Sequence, residues 1–543
     1  MKAHLKYLLL LGSFFVGIPI LPAQYFLIHT DQDYYISGEN ISYCIYPNKN
    51  IYTDSMLIMV ALYSKQSTLV SNQIHRLTDA SISGIIKTNH SLKEGNYTLV
   101  CYAVWDHSWL DSLQVLFSFK YIPVFNDLDQ PPQMQTSQAE LNHLNDISQD
   151  SLSVSDLDHK KYHTYPIKLS SQNQPVHHPS FSVSINKINS LNEHQLDVNP
   201  VNDNKSPDLK DFVVRKKIIL EGEVKDPATR KKVNEKYLTL YIAKTGSFQR
   251  ITSTNGRIKS SIRDIKGNFS FQLLSLNPNQ HSPLEFTPVD YLDKFGSVIH
   301  QAPDLIRNET MNYTLLQYTK RRLLENLFKG STLSRKTSED SIYSFLADKE
   351  YYIADFQDIK SLEEFIKEVM VDCSITTVLN DKKSLRLRNK DSRDLYRWPA
   401  WYLLNGFFRG DEDALLKFDI SKIKKLALFN TKKTIIPQFD TLMQYSGIFS
   451  VSTYLQDEIP AYVHHSIGLS DPSSISQVAI FSKDGPPDLR TKLTWQTNIT
   501  SSANGALDLP IPASDIRGFF LIRVMGKNAA GEFEQHQEII RIK

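Results

Sequence analysis

Between residues 24 and 125 the chain is written in short apolar runs, 41–46, 56–63, 82–88, 97–105 and 115–121, each closed by turn residues. Runs of six to nine residues at hairpin spacing are too short for independent helices and predict antiparallel strands. Where apolar and polar residues alternate, one strand face must be buried against a second layer, so the expected product is a β-sandwich. The same pattern returns after Lys217 and again near the C-terminus. The predicted fold class is mainly β and multidomain, with immunoglobulin-like β-sandwiches plus one α+β domain.

Length and charge bound the partners. The 543 residues carry 61 Lys and Arg against 59 Asp and Glu, a net charge of +2, so no chain-wide basic excess points to nucleic acid. Lys2 and Lys6 precede an apolar run that ends at Leu21-Pro22-Ala23, which reads as an export signal over residues 1–23 with the mature chain starting near Gln24. Gly12, Ser13, Gly17 and Pro19 interrupt that run, and no later run reaches the ~18 apolar residues of a spanning helix, so no transmembrane helix is expected after cleavage. The expected location is exported, in the periplasm or associated with the outer membrane. Cys44, Cys101 and Cys373 are too few for a disulfide framework. Strand parity puts Cys44 on the face opposite Ile41, Tyr43 and Ile45, whereas Cys101 shares the face of Tyr97, Leu99 and Ala103, so a bridge between them is disfavoured.

Residues 24–125 form the first predicted sandwich. Residues 126–211 are dominated by Ser, Asn, Gln, Asp and His and are expected to be a polar, largely disordered linker, with 181–185 as one short strand. Its histidines follow no metal-ligand spacing. A second sandwich is expected over 212–290 and a connecting segment with a helix at 318–328 over 291–354. An α+β domain follows over 355–456 and a closing sandwich over 457–543. Within the α+β domain Ser361 and Glu364 make a capping box, and Leu362, Phe365, Ile366, Val369 and Met370 line one helix face. Strands are predicted at 375–379, 384–388, 400–404, 426–429 and 447–453, with a turn at Asn405-Gly406 and a short helix at 413–418.

Several stretches also resemble known families. IHTDQDYYISGENISYCIYP, LKEGNYTLVCYAVW and FKYIPVFN resemble the macroglobulin-type β-sandwich at the front of exported multidomain proteins of Bacteroidota. The thioester trap of macroglobulins needs Cys-Gly-Glu-Gln, which does not occur; Cys373 lies in VDCSIT. Gly222-Glu223-Val224 with Asp264, Gly267 and Phe269 resembles the regulatory β-sandwich appended to carboxypeptidases, a module that implies no catalytic zinc, and no HExxH is present. Leu403-Leu404-Asn405-Gly406, Ile420-Ser421-Lys422-Ile423 and the segment from Gly447 to Thr453 are similar to the plug domain of TonB-dependent receptors. Asn405 stands where the plug pattern has Asp, and the 90 residues after Thr453 are too few for a receptor barrel. The last stretch, with Trp495, looks like the closing sandwich of the same Bacteroidota proteins.

No GxSxG, GxGxxG, P-loop or CxxC occurs, so the expectation is a non-enzymatic protein with no cofactor and no metal. The resemblance implies a periplasmic plug-like or accessory subunit that docks on an outer-membrane barrel, transport or secretion (translocon) protein. The alternative is a surface binding module for a glycan or host protein, with Trp105, Trp109, Trp398 and Trp401 as stacking residues. The sequence sets no oligomeric state. The expected contact residues lie in two loops, Arg393, Tyr396, Arg397, Trp398 and Trp401 in 390–401 and Phe407 and Phe408 in 407–413, because Arg and aromatic residues dominate interface hot spots.

Overall fold

The computed structural model describes residues 25–126, 155–157, 163–168, 180–188, 212–305, 311–319, 347–431, 446–454, 463–470, 476–477, 491–500, 506–511 and 516–543, apart from short gaps at 79, 108–112, 263, 276–282, 313, 357, 378–382, 410–411 and 529–530. The predicted signal over 1–23 and most of the predicted helix over 318–328 lie outside them. The chain is mainly β and forms two units, one from 1–216, 292–330 and 470–543, the other from 217–291 and 331–469. Among the described residues no helix is long and apolar enough to cross a membrane.

In the first unit, Phe26–Thr30, Ile41–Pro47 and Ile82–Ile86 make one sheet. Tyr35–Ile36, Leu113–Phe125, Gly95–His107, Leu57–Tyr63 and Leu69–Arg76 make the facing one. Alternation aims Ile41, Tyr43, Ile45, Leu99, Cys101 and Ala103 into the shared core. Cys44 points the other way, as its parity requires, into a second apolar cluster with Leu27, Tyr46, Trp495 and Met525. Both thiols are buried and free.

That second cluster exists because another sandwich covers the outer face, and here the expected linker is corrected. Ser180–Lys187 is an interior strand of a six-stranded sheet, paired on one side with Lys492–Ile499 and on the other with Gly518–Lys527. Ser155–Leu157 forms that sheet's edge, and His163–Lys168 pairs with Ala506–Ile511. The physical reason is that Phe181, Val183 and Ile185 enter the core while Ser182 and Ser184 are buried on the opposite face. There Ser182 Oγ lies 2.6 Å from His29 Nδ1 and Ser184 Oγ 3.2 Å from Nε2. A polar composition thus conceals a face that is small rather than solvated. Phe212–Val214 also departs from the expected boundary and pairs with the end of Gly95–His107.

Charges are buried in this unit. Arg523 bonds Asp33, and Lys492 bonds Asp31, which also accepts from Tyr35 Oη at 2.6 Å and Ser42 N at 2.9 Å. Lys120 Nζ lies 3.9 Å from Asp33 and donates to Thr30 Oγ1 at 2.7 Å. Burial drives Lys120 down to about 8. Burial also works to raise Asp33, but Arg523 and Lys120 hold it below its ordinary value. The helix Leu292–His300 closes another face by placing Phe295 against Tyr63, Tyr102 and Phe117 at 5.6, 5.4 and 5.9 Å.

In the second unit, strands Tyr237–Ile242, Ser247–Thr254, Arg257–Ser261, Ile219–Lys225, Pro283–Pro288 and Asn268–Ser275 follow in that spatial order, and the first pairs with the last to close the sandwich. His464–Ile467 adds to it beside Asn268–Ser275, so these residues leave the expected closing sandwich. The α+β part has the sheet order Lys349–Tyr352, Ile423–Phe429, Ile448–Thr453, Trp401–Leu404, Phe407–Arg409. Ser361 Oγ accepts from Glu364 N at 3.1 Å and starts the helix Leu362–Glu368, whose Leu362, Phe365 and Ile366 are buried.

Candidate functional site

The two loops expected to carry contacts meet different fates. Asn405 and Gly406 both adopt positive φ, 49° and 82°, the geometry of a two-residue hairpin turn. Asn405 fixes it further by accepting from Thr453 N at 2.9 Å and donating to Thr453 Oγ1 at 2.8 Å. The turn pairs Leu404 with Phe407 and Leu403 with Phe408, so the expected loop at 407–413 opens as a strand. Phe408 N donates to Gln272 Oε1 at 2.7 Å, its carbonyl accepts from Gln272 Nε2 at 3.0 Å, and its ring packs on Tyr241 and Trp401 at 4.9 and 5.4 Å. Phe407, Phe408, Trp401 and Tyr396 all belong to the core and are removed from the set of surface residues.

Tyr396 is nevertheless what holds the remaining loop in place. Its N donates to Leu387 O and its hydroxyl to Asn430 O, each at 2.9 Å. Burial raises this phenol, and Asp391 and Asp348 add to the effect, so it stays protonated and donating. Asn389 Oδ1 accepts from Asp391 N at 2.8 Å, and Arg393 N donates to Asn389 O at 2.7 Å while Arg393 takes a left-handed φ of 66°. Arg388 Nη1 reaches back to Arg393 O at 2.7 Å. At the other end, Ala400 N donates to Leu385 O at 2.8 Å.

Above this framework Arg393 and Arg397 are exposed and Trp398 is half-buried, with the Arg397 guanidinium 5.3 Å from the Trp398 ring centre. Three residues not anticipated from sequence join them. Leu395 is 41% exposed and bridges Arg388, and Arg388 N donates to Asp372 O at 2.7 Å, which brings Val371, 78% exposed, alongside. Two exposed apolar residues, Val371 and Leu395, therefore lie on the segments to either side of Arg388, and Arg393 and Arg397 are exposed in the same loop as Leu395. Val371 carried a faint signal, since it continues the apolar run Val369, Met370 one residue beyond the helical face.

Cys373 is half-buried, and burial with help from Asp372 pushes its thiol up to about 12. Among the described residues no three His, Cys, Asp or Glu side chains gather to hold a metal ion.

No family model and no curated protein matches this chain. Among solved structures, trypsin-activated α2-macroglobulin from Escherichia coli aligns over 97% of this chain and 42% of its own length, at 8% identity and a TM-score of 0.24. Salmonella α2-macroglobulin reacted with methylamine aligns over 96% and 40%, also at 8% identity and 0.24. Dimeric latent PorU from Porphyromonas gingivalis aligns over 96% and 34%, at 8% identity and 0.15. The chain spans about two fifths of the length of the macroglobulins it aligns with. At these TM-scores neither a common fold nor a common activity follows.

Proposed function

We propose that the chain is a non-enzymatic, exported envelope protein that docks through residues 388–398 on an outer-membrane barrel or a secretion-system protein. The observation that carries this reading is the loop itself: backbone bonds and the buried Tyr396 fix it, and it presents Leu395 with Arg388, Arg393 and Arg397 to solvent. A preformed surface of this kind loses little conformational entropy on binding, and Arg with aromatic neighbours is the composition of binding hot spots. Export is supported by the pattern of residues 1–23. The alternative of a tryptophan platform for a glycan is weaker, since Trp105 and Trp401 are buried and Trp109 lies outside the described residues.

A photo-crosslinking amino acid at Leu395, compared with one at Leu69 (47% exposed), tests the reading in native envelopes. The expected result is an adduct with a barrel or secretion component at position 395 and none at 69. No adduct at 395, or the same adducts at both positions, would overturn it.

A further inference from the structure

The near-neutral charge of the whole chain hides a local concentration. From Lys217 to Lys259 there are ten Lys and Arg against four Asp and Glu, a net charge of +6 where the full chain carries +2. Register gathers many of these charges on one outer surface of the sandwich in the second unit. On Arg257–Ser261, Arg257 and Lys259 are exposed while Ile258 is buried, and they stand opposite Glu223 and Glu221 of Ile219–Lys225. Lys232, Arg257 and Lys225 surround Glu223 at 2.9, 3.7 and 4.0 Å, so three cations share one carboxylate, and Lys232 first among them holds Glu223 below its usual value. The patch continues through Thr254, paired with Arg257, and through Ser253, whose N donates to Lys236 O at 2.9 Å. There Tyr237, 38% exposed, has Lys236 Nζ and the Arg250 guanidinium each 5.3 Å from its ring centre.

We propose that this surface, Tyr237 with Lys225, Lys232, Lys236, Arg250, Arg257 and Lys259, is a docking site for an acidic polysaccharide. The occupant follows from charge and shape. A cationic surface with one exposed aromatic ring suits sugar rings that offer C–H faces for stacking and carboxylates or sulfates for the cations. The residues between the cations are Thr252, Thr254 and Asn255, polar side chains where a surface that enters a bilayer carries an apolar band. Glu221 and Glu223 sit within the patch and oppose the dense phosphate charge of a nucleic acid, about one per 3.4 Å along a strand, whereas a polyuronate carries one carboxylate per sugar. The site is separate from the 388–398 loop and does not depend on how that loop is used.

The test is retention of the full chain on immobilised polygalacturonate at low salt, with dextran, poly(dT) and phosphatidylglycerol vesicles as comparison ligands. Retention on polygalacturonate that is lost with added salt is expected, with none on dextran and weaker binding to the other two. The triple substitution Lys232→Ala, Arg257→Ala, Lys259→Ala should weaken it about tenfold, and Tyr237→Ala should weaken it without changing the salt dependence. Glu223→Gln should strengthen retention by freeing three cations, whereas damage to the fold would weaken it. Binding to poly(dT) or vesicles as tight as to polygalacturonate, equal binding to dextran, or no gain from Glu223→Gln would overturn the proposal.

Discussion

His75 is 2% exposed and reads out the pH response of the first unit. Tyr43 Oη gives its proton to Gln73 Oε1 at 2.6 Å, so His75 Nε2, 2.7 Å from the same oxygen, must be the donor in a neutral ring. Burial pushes this imidazole down to about 4 from an ordinary 6.5. Between those values the unfolded chain binds the proton and the folded chain does not, so stability is lost as pH falls through the window, by roughly 3 kcal/mol at its end. His29, lowered first by burial and further by Lys120 and Arg523, acts in the same direction. Urea unfolding of the first unit, followed from pH 7 to pH 4, should therefore show a falling free energy. His75→Gln should flatten that fall by about the same 3 kcal/mol, leaving the part due to His29. An unchanged slope in the variant would mean that His75 binds its proton equally well in the folded and the unfolded chain.

At the scale of elements, what could be read in advance was what is written locally. Ser361 and Glu364 announce their helix because a cap and its partner lie within one turn, and Ser361→Ala should lower the stability of the second unit by about 1 kcal/mol. Thermal unfolding measures that loss, and no shift in the midpoint would show that the cap bond is not formed in solution. The Asn405-Gly406 turn was legible for the same reason. Its consequence for Phe407 and Phe408 was not, because whether aromatics after a turn face solvent depends on what packs above the hairpin, here Tyr241 and Gln272 from more than a hundred residues earlier. The strand Ser180–Lys187 was the larger gap. Its partner Gly518–Lys527 lies more than 300 residues away, and its buried serines face His29, so neither composition nor period within the segment marks an interior strand. Of the candidate site, Arg393, Arg397 and Trp398 were legible as residue types, while Val371 and Leu395 depend on the bridge to Arg388.

For the whole molecule, the sequence of the second unit is set between strands that the first unit needs from both sides. The sandwich holding Ser180–Lys187 is incomplete until Lys492–Ile499 and Gly518–Lys527 are made, which couples its folding to the end of the chain. A chain ended after Ser470 should keep the unfolding transition of the second unit and lose that of the closing sandwich, as seen by calorimetry. Retention of both transitions would contradict the strand assignment. The proposed docking surface lies in the second unit alone, on a buried framework with Arg393 and Arg397 exposed and Trp398 half-buried. Its most direct measurement is the paired substitution Arg397→Ala, Trp398→Ala, read by recovery of the crosslinked envelope partner and by thermal unfolding of the same protein. Partner binding should weaken by about 2 kcal/mol or more, roughly thirtyfold, with the unfolding midpoint nearly unchanged. Full partner recovery together with a large fall in the midpoint would assign Arg397 and Trp398 to the fold and contradict the docking surface.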